Sequence, residues 1–188
     1  MKTGAQRDVA AELLERNRRV SAEFEAALAG LGERQLGWRP PAGGWSIAEV
    51  LEHLCISADS YLVTLLDKRG GDHPHSTQTT EWRPSLLGGL LANSFRSARK
   101  LPAPRIYRPG PEPRTNVAHE FLVRQREVSK LIEASEGIVW RKVRSVSPVS
   151  RFIRINLGDC FQILVAHAER HLGQIRRIKA APAFPSGG

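Results

Sequence analysis

No stretch of this chain approaches the roughly 20 consecutive apolar residues needed to cross a bilayer. Its apolar residues fall instead in short, interrupted runs, so no membrane span is expected. The N-terminus, Met1-Lys2-Thr3-Gly4, runs straight into charged sequence and lacks the apolar centre of a signal peptide, which makes a cytoplasmic location the expectation. Cysteine is scarce. Cys55 and Cys160 each lie within an apolar helical pattern, where a free thiol behaves as a small hydrophobe, and no structural disulfide is expected. Acidic residues are the minority charge, 19 against 28 basic, for a formal net charge of +9. Such a field can draw in nucleic acid or anionic small molecules. The basic residues are nevertheless spread along the chain, from Arg16 and Arg18 through Arg105 and Arg141 to Arg177, without an RNA-binding aromatic signature, zinc finger or basic zipper. The expected surface is positively charged and solvated, with no specific nucleic-acid partner.

What is present is an ordinary globular composition, 41% apolar and 25% charged over 188 residues, enough for one full-sized core. Four segments carry a helical period. The first spans about residues 4–30, with Val9, Leu13, Val20, Phe24 and Leu28 on one face and Gly30 and Gly32 ending it. After the turn Arg39-Pro40-Pro41-Ala42-Gly43-Gly44, the run Ser46-Ile47-Ala48-Glu49 predicts a capping box and a second helix to about Lys68. Residues 70–113 are irregular, with a short amphipathic helix predicted over Ser85–Lys100. Its Gly88-Gly89 pair disfavours the helix by about 1 kcal/mol per glycine relative to alanine. The third helix is predicted from Thr115 to about Ser135, residues 138–155 as extended chain or loop, and the fourth helix from Asn156–Asp159 to about Ala180. The simplest architecture is an all-α four-helix bundle with a long crossover between helices 2 and 3, a single domain over residues 1–180, and a flexible tail over 181–188.

The last helical segment carries the chemistry. On it Cys160, Leu164, His167, His171, Ile175 and Ile178 share one face, opposite Glu169, Arg170, Arg176 and Arg177. Residues four apart on a helix are neighbours, so the two imidazoles can converge on one cation. Two neutral imidazoles in an apolar stripe otherwise each need a hydrogen-bond partner, and few polar groups are at hand. His53 lies at the edge of the second helix's buried face, in a polar row with Glu49, Ser57, Ser60 and Thr64, and reads equally as a boundary histidine or a third ligand. His73 and His75 are expected in solvent, and His119 without a special role. Glu49 is the carboxylate best placed to assist a bound ligand, although its capping role competes. Gln174, near the histidine row, is placed to orient a ligand.

The segment Trp38-Arg-Pro-Pro-Ala-Gly-Gly-Trp-Ser-Ile-Ala-Glu-Val-Leu-Glu-His-Leu54 and the run His167-x3-His171-x2-Gln174-Ile175 resemble the DinB-like, or DinB/YfiT-type, metalloenzymes. The stretch from Lys100 to Pro109 also looks like that family's crossover, and the resemblance covers most of residues 5–180. It implies a four-helix bundle in which His53, His167 and His171 bind a divalent ion such as nickel, zinc or iron, and a homodimer. It implies no DNA binding. Relatives of known activity mostly move low-molecular-weight thiols, so the resemblance implies a metal-dependent enzyme, a thiol S-transferase or a hydrolase, acting on a small molecule at a three-His site. The alternative is a non-enzymatic, metal-stabilised, stress-associated binding protein. A related iron motif, His-x3-His-x-Glu, is disfavoured by Gly173.

Overall fold

The helices form where apolar residues recur every three or four positions, and the breaks fall at the glycines and prolines between those runs. The structure, a computed structural model, describes residues 3–69, 73–78, 80–96 and 102–186. It is mostly helical. Helix α1 is Gln6–Leu28, a short α2 is Glu33–Gly37, and α3 is Ile47–Arg69. Helix α4 follows at Leu86–Arg96, α5 at Val117–Ala134 and α6 at Leu157–Lys179. The all-α expectation omits two small antiparallel pairs. Strand β1 (Gly4–Ala5) pairs with β2 (Glu81–Trp82), and β3 (Arg144–Ser147) forms a hairpin with β4 (Ser150–Asn156). Residues 138–155 were legible only as extended because their β-branched residues do not say what they pair with. No helix among the described residues is long and apolar enough to cross a membrane.

The capping box at the start of α3 is present. The Glu49 amide donates to Ser46 Oγ at 3.2 Å, and the Ser46 amide donates to Glu49 Oε2 at 2.9 Å. Asn156 caps α6 in the same way, through Asp159, while its Oδ1 also accepts from the Trp82 indole at 2.9 Å. Asp159 in turn accepts from the Ser85 amide at the start of α4. This junction explains Gly88, which weakens α4 as a helix: a Cβ there would overlap the Asp159 carboxylate. The predicted helix Ser85–Lys100 is observed as Leu86–Arg96, and residues 97–100 lie outside the described residues. At the other end of the chain Phe184 packs edge-on against Trp38, with ring centroids 5.5 Å apart, and Gln35 donates to the Pro185 carbonyl.

Helices α1 and α3 each pack against both α5 and α6, and α4 lies along α6. Their buried apolar faces make two clusters. One contains Leu13, Tyr61, Val128, Trp140 and Phe161; the other contains Phe24, Leu51, Phe121, Leu172 and Ile175. Fully burying a large apolar side chain contributes about 1.5–3 kcal/mol, so each cluster supplies a substantial part of the folding free energy. Each long helix passes from one cluster to the other across a buried polar residue: Asn17 on α1, Ser57 on α3, Gln125 on α5 and His167 on α6. Asn17 donates to the Gln125 carbonyl at 2.8 Å and to Ser129 Oγ at 3.0 Å, linking α1 to α5. Two ion pairs tie other helices together: Arg16 forks onto Glu169 (α1 to α6), and Arg124 onto Asp59 (α5 to α3).

Candidate metal centre

The i, i+4 spacing on α6 brings the rings of His167 and His171 side by side, and α3 brings His53 up to meet them. The Nε2 atom of His167 is 3.0 Å from Nε2 of His53 and 3.0 Å from Nε2 of His171. All three rings are buried, and the three nitrogens lie within 4.8 Å of one another, a group that could hold a metal ion. The sequence left His53 open between boundary and ligand because its helical row is polar. Glu49, His53 and Ser57 of that row are in fact buried, exposing 5%, 3% and 3% of their surface, while Ser60 is half-buried. Polar pattern alone does not show this, since His53 is met by the Tyr107 carbonyl and Glu49 by Ser46 and Arg39 rather than by another apolar helix face.

Two acceptors set the orientation and tautomer of the rings. Nδ1 of His53 lies 2.7 Å from the backbone carbonyl oxygen of Tyr107, an atom that can only accept. Nδ1 of His171 lies 2.8 Å from Oε1 of Gln174. Both Nδ1 atoms therefore carry hydrogen, and in a neutral ring that leaves Nε2 as a bare lone pair. Burial holds all three rings neutral. It pushes the pKa of His53 below the usual imidazole range, against the opposing pull of the Tyr107 carbonyl. His167 is pushed well below that range by burial and then by its two histidine neighbours. For His171 burial, followed by His53, brings the value to about 3, with Gln174 opposing.

The donor set fits a cation. With His53 and His171 both presenting lone pairs, His167 can donate its single Nε2 hydrogen to only one of them. The other nitrogen pair, also 3.0 Å apart, is left with no hydrogen between its two atoms. One divalent ion at their meeting point would satisfy all three nitrogens, and hydrogen bonds from ligand histidines to a carbonyl or amide oxygen are the usual supports of such a site.

The nitrogens face a cleft of about 820 Å³. Trp45 stands 4.9 Å from the His53 ring and Phe95 stands 4.7 Å from that of His167, both measured between centroids. Arg170 and Arg177 also line the cleft, together with the hydroxyl-bearing Ser57 and Tyr61. Ser57 Oγ is buried without a hydrogen-bond partner among the described residues.

Other expectations are corrected or placed. Glu49 is not available as a helper. One carboxylate oxygen is held in the capping box, and the other accepts from Arg39 at 2.5 Å. Gln174 orients His171 itself. Cys160 packs in the apolar cluster, and burial raises its thiol pKa to about 12, while that of Cys55 rises to about 11; both are free thiols and neither joins the histidines. His75 and His119 are exposed, and His73 is half-buried. Glu169 points away toward Arg16, as its place on the helix predicts. Tyr107's part is not legible in the sequence, because a main-chain carbonyl in an irregular segment has no residue signature. In the sequence Trp45 reads only as part of the motif that carries the family resemblance, and Phe95 only as an apolar residue of the Ser85–Lys100 segment.

A family model described as the DinB superfamily matches residues 14–175, a span that includes all three histidines. No curated protein and no solved structure matches the chain.

Proposed function

The chain belongs to the DinB superfamily, and from that premise we propose that it binds one divalent cation, nickel, zinc or iron, through His53, His167 and His171, and acts as a metal-dependent enzyme. The observation that carries this reading is the pair of acceptors, Tyr107 O and Gln174 Oε1, which turn the Nε2 atoms of His53 and His171 toward that of His167. Closed structural sites normally use four protein ligands, whereas catalytic sites use three and leave room for a reactant. When bound, such an ion supplies Lewis acidity that lowers the pKa of a thiol or water sharing its coordination sphere.

The residues of the chain divide the remaining work. His53, His167 and His171 offer neutral donors, and Gln174 and the Tyr107 carbonyl hold two of the rings in register. Trp45 and Phe95 give the cleft apolar walls against which a small molecule can exclude water. Arg170 and Arg177 supply positive charge for an anionic group on that molecule. Because Glu49 is engaged by Ser46 and Arg39, a small thiol suits the site better than water: a thiol needs only to lose its proton, whereas hydrolysis generally also calls for a base. We read the reaction as thiol S-transfer onto an electrophile, in a cytoplasmic homodimer built on a four-helix bundle of α1, α3, α5 and α6. The exposed Leu86 and Leu90 of α4 offer an apolar surface for the second copy.

The alternative reading, a non-enzymatic metal-stabilised binding protein, is favoured by one observation. His167 sits at the break between the two apolar clusters, so a cation there would tie α3 to α6 through the centre of the molecule. Elemental analysis of untagged protein beside His167→Ala tests the metal: about one ion per chain, lost in the variant, is expected. A wild type that stays metal-free after reconstitution overturns both readings. With the metal established, turnover of a low-molecular-weight thiol with an electrophile separates the enzyme from the binding protein.

A further inference from the structure

A second cleft, of about 790 Å³, lies at the opposite end of the hairpin and is lined by Arg83, Arg141, Arg144 and Arg154, with Ser85 and Asn156 between them. It is separate from the histidine site. Asn156 caps the start of α6, and His167 lies 11 residues further on, about 16 Å at 1.5 Å per residue. The four arginines come from three places in the chain: the segment after β2, the turn at Trp140–Lys142, and the two strands of the hairpin. In the hairpin register Arg144 stands opposite Asn156, and Arg154 opposite Val146, so Arg144 and Arg154 are diagonal neighbours on one face.

Their pairing sets them apart from other arginines of the molecule. Arg16, Arg114 and Arg124 each fork onto a carboxylate of another element. Among the described residues lining the cleft the one acidic residue is Glu81, which meets Arg83 at 3.5 Å. Among the described residues Arg141, Arg144 and Arg154 have no carboxylate partner. Like charges gathered in a concavity repel one another, so this arrangement costs folding free energy and contributes no internal ion pair. Such a cost is offset when an anion supplies the missing charge.

We propose that this cleft binds a compact polyanion carrying two or more phosphoryl groups. The basic residues lining it are all Arg, whose planar fork matches phosphate oxygens in pairs. The volume falls within the range of small-ligand sites, and among the described residues no exposed aromatic side chain lines the cleft to stack a base, so recognition falls on the phosphoryl groups. This site stands independently of the metal centre.

The test is calorimetric titration of the full chain, stripped of metal, with inorganic tripolyphosphate and with ADP, which distinguish a free polyphosphate from a nucleotide ester. Saturable binding of one equivalent of either is expected. Arg144→Gln with Arg154→Gln should weaken it at least about tenfold, the equivalent of about 1.4 kcal/mol, and Arg83→Gln on the facing wall should weaken it in the same direction. A charge-matched control, Arg18→Gln with Arg19→Gln on α1, should leave it unchanged. Equal weakening by the control would reduce the effect to net charge and overturn the site. Citrate binding as tightly as tripolyphosphate would overturn the phosphoryl assignment. Displacement of tripolyphosphate by a single-stranded DNA dodecamer would overturn the small-ligand assignment in favour of a nucleic-acid backbone. His167→Ala should bind tripolyphosphate as the wild type does.

Discussion

The molecule has two clefts of nearly equal volume that organise their polar groups in opposite ways. At the histidine cleft every ligand candidate is buried, and two of the three rings are held by acceptors inside the protein. At the arginine cleft the charged groups are exposed, and most have no carboxylate partner among the described residues. Burial makes the first site directional: His53 and His171 each have one tautomer and one orientation, and low polarity fixes the charge state of all three rings. Exposure makes the second additive and screened, since each guanidinium stays in water and engages its own share of an anion's oxygens. A site of the first kind fails as a unit. A site of the second kind fails by degrees.

The largest expected effect tests the first half of that contrast. His167→Ala should abolish stoichiometric metal binding. It should also remove the ligand-dependent rise in stability, about 4 kcal/mol when free metal is a thousandfold above its dissociation constant, as read by thermal melts with and without added metal. Arg144→Gln with Arg154→Gln should leave that rise intact, and its loss there would collapse the distinction between the two regions.

Next in size is the response of the metal-free protein to acid. The folded-state pKa of His171 is about 3, against an unfolded value of about 6.5, so between those limits the unfolded chain binds more protons. Stability is therefore full above pH 6.5 and falls as the pH drops, by about 1.4 kcal/mol per pH unit from His171 alone, with His53 and His167 acting in the same direction. Denaturant titrations of the metal-free protein from pH 7 to pH 5 measure this slope, and His171→Ala should flatten it. A wild-type slope near zero would mean that the rings are not buried as neutral groups.

A smaller effect separates a ligand from its support. Gln174→Leu should keep all three imidazoles yet weaken metal affinity about 10- to 100-fold, the usual result of removing the partner of a ligand histidine. Competition with a chelating dye reads this directly. Smallest at the metal is Glu49→Gln, expected to cost about 1 kcal/mol of stability through the cap while leaving metal affinity within a factor of two or three. A large loss of affinity there would restore Glu49 to the site.

How far sequence alone reaches follows from the same contrast. The Ser46–Glu49 cap, the boundaries of the long helices and the convergence of His167 with His171 rest on spacings of three and four, which a helix converts directly into neighbours. The DinB resemblance rested on short motifs within the span that the family model matches. What was not legible depends on contacts between distant segments. The inward turn of His53 requires the crossover above it, and the Tyr107 carbonyl is 54 residues away. The hairpin of β3 and β4 requires knowing which extended residues pair. The arginine cleft joins residues 83 and 154, and in the sequence these looked like members of one diffuse positive surface. The glycines of α4 read as a weakness of that helix; only Asp159, packed against Gly88, shows why a side chain is excluded there.

The grip of the Tyr107 carbonyl on His53 has a consequence for how this protein can change over time. The contribution of position 107 to the His53 ring is a peptide oxygen, which all twenty residues possess, so that hydrogen bond imposes no letter there. What it constrains is the path of the chain between α4 and α5. Substitutions in that crossover that preserve the path should drift freely, whereas a one-residue insertion or deletion just before Tyr107 should shift a different carbonyl over His53 and loosen the ring. Variation among descendants of this chain should accordingly be generous in identity and strict in length along the segment that covers the histidines.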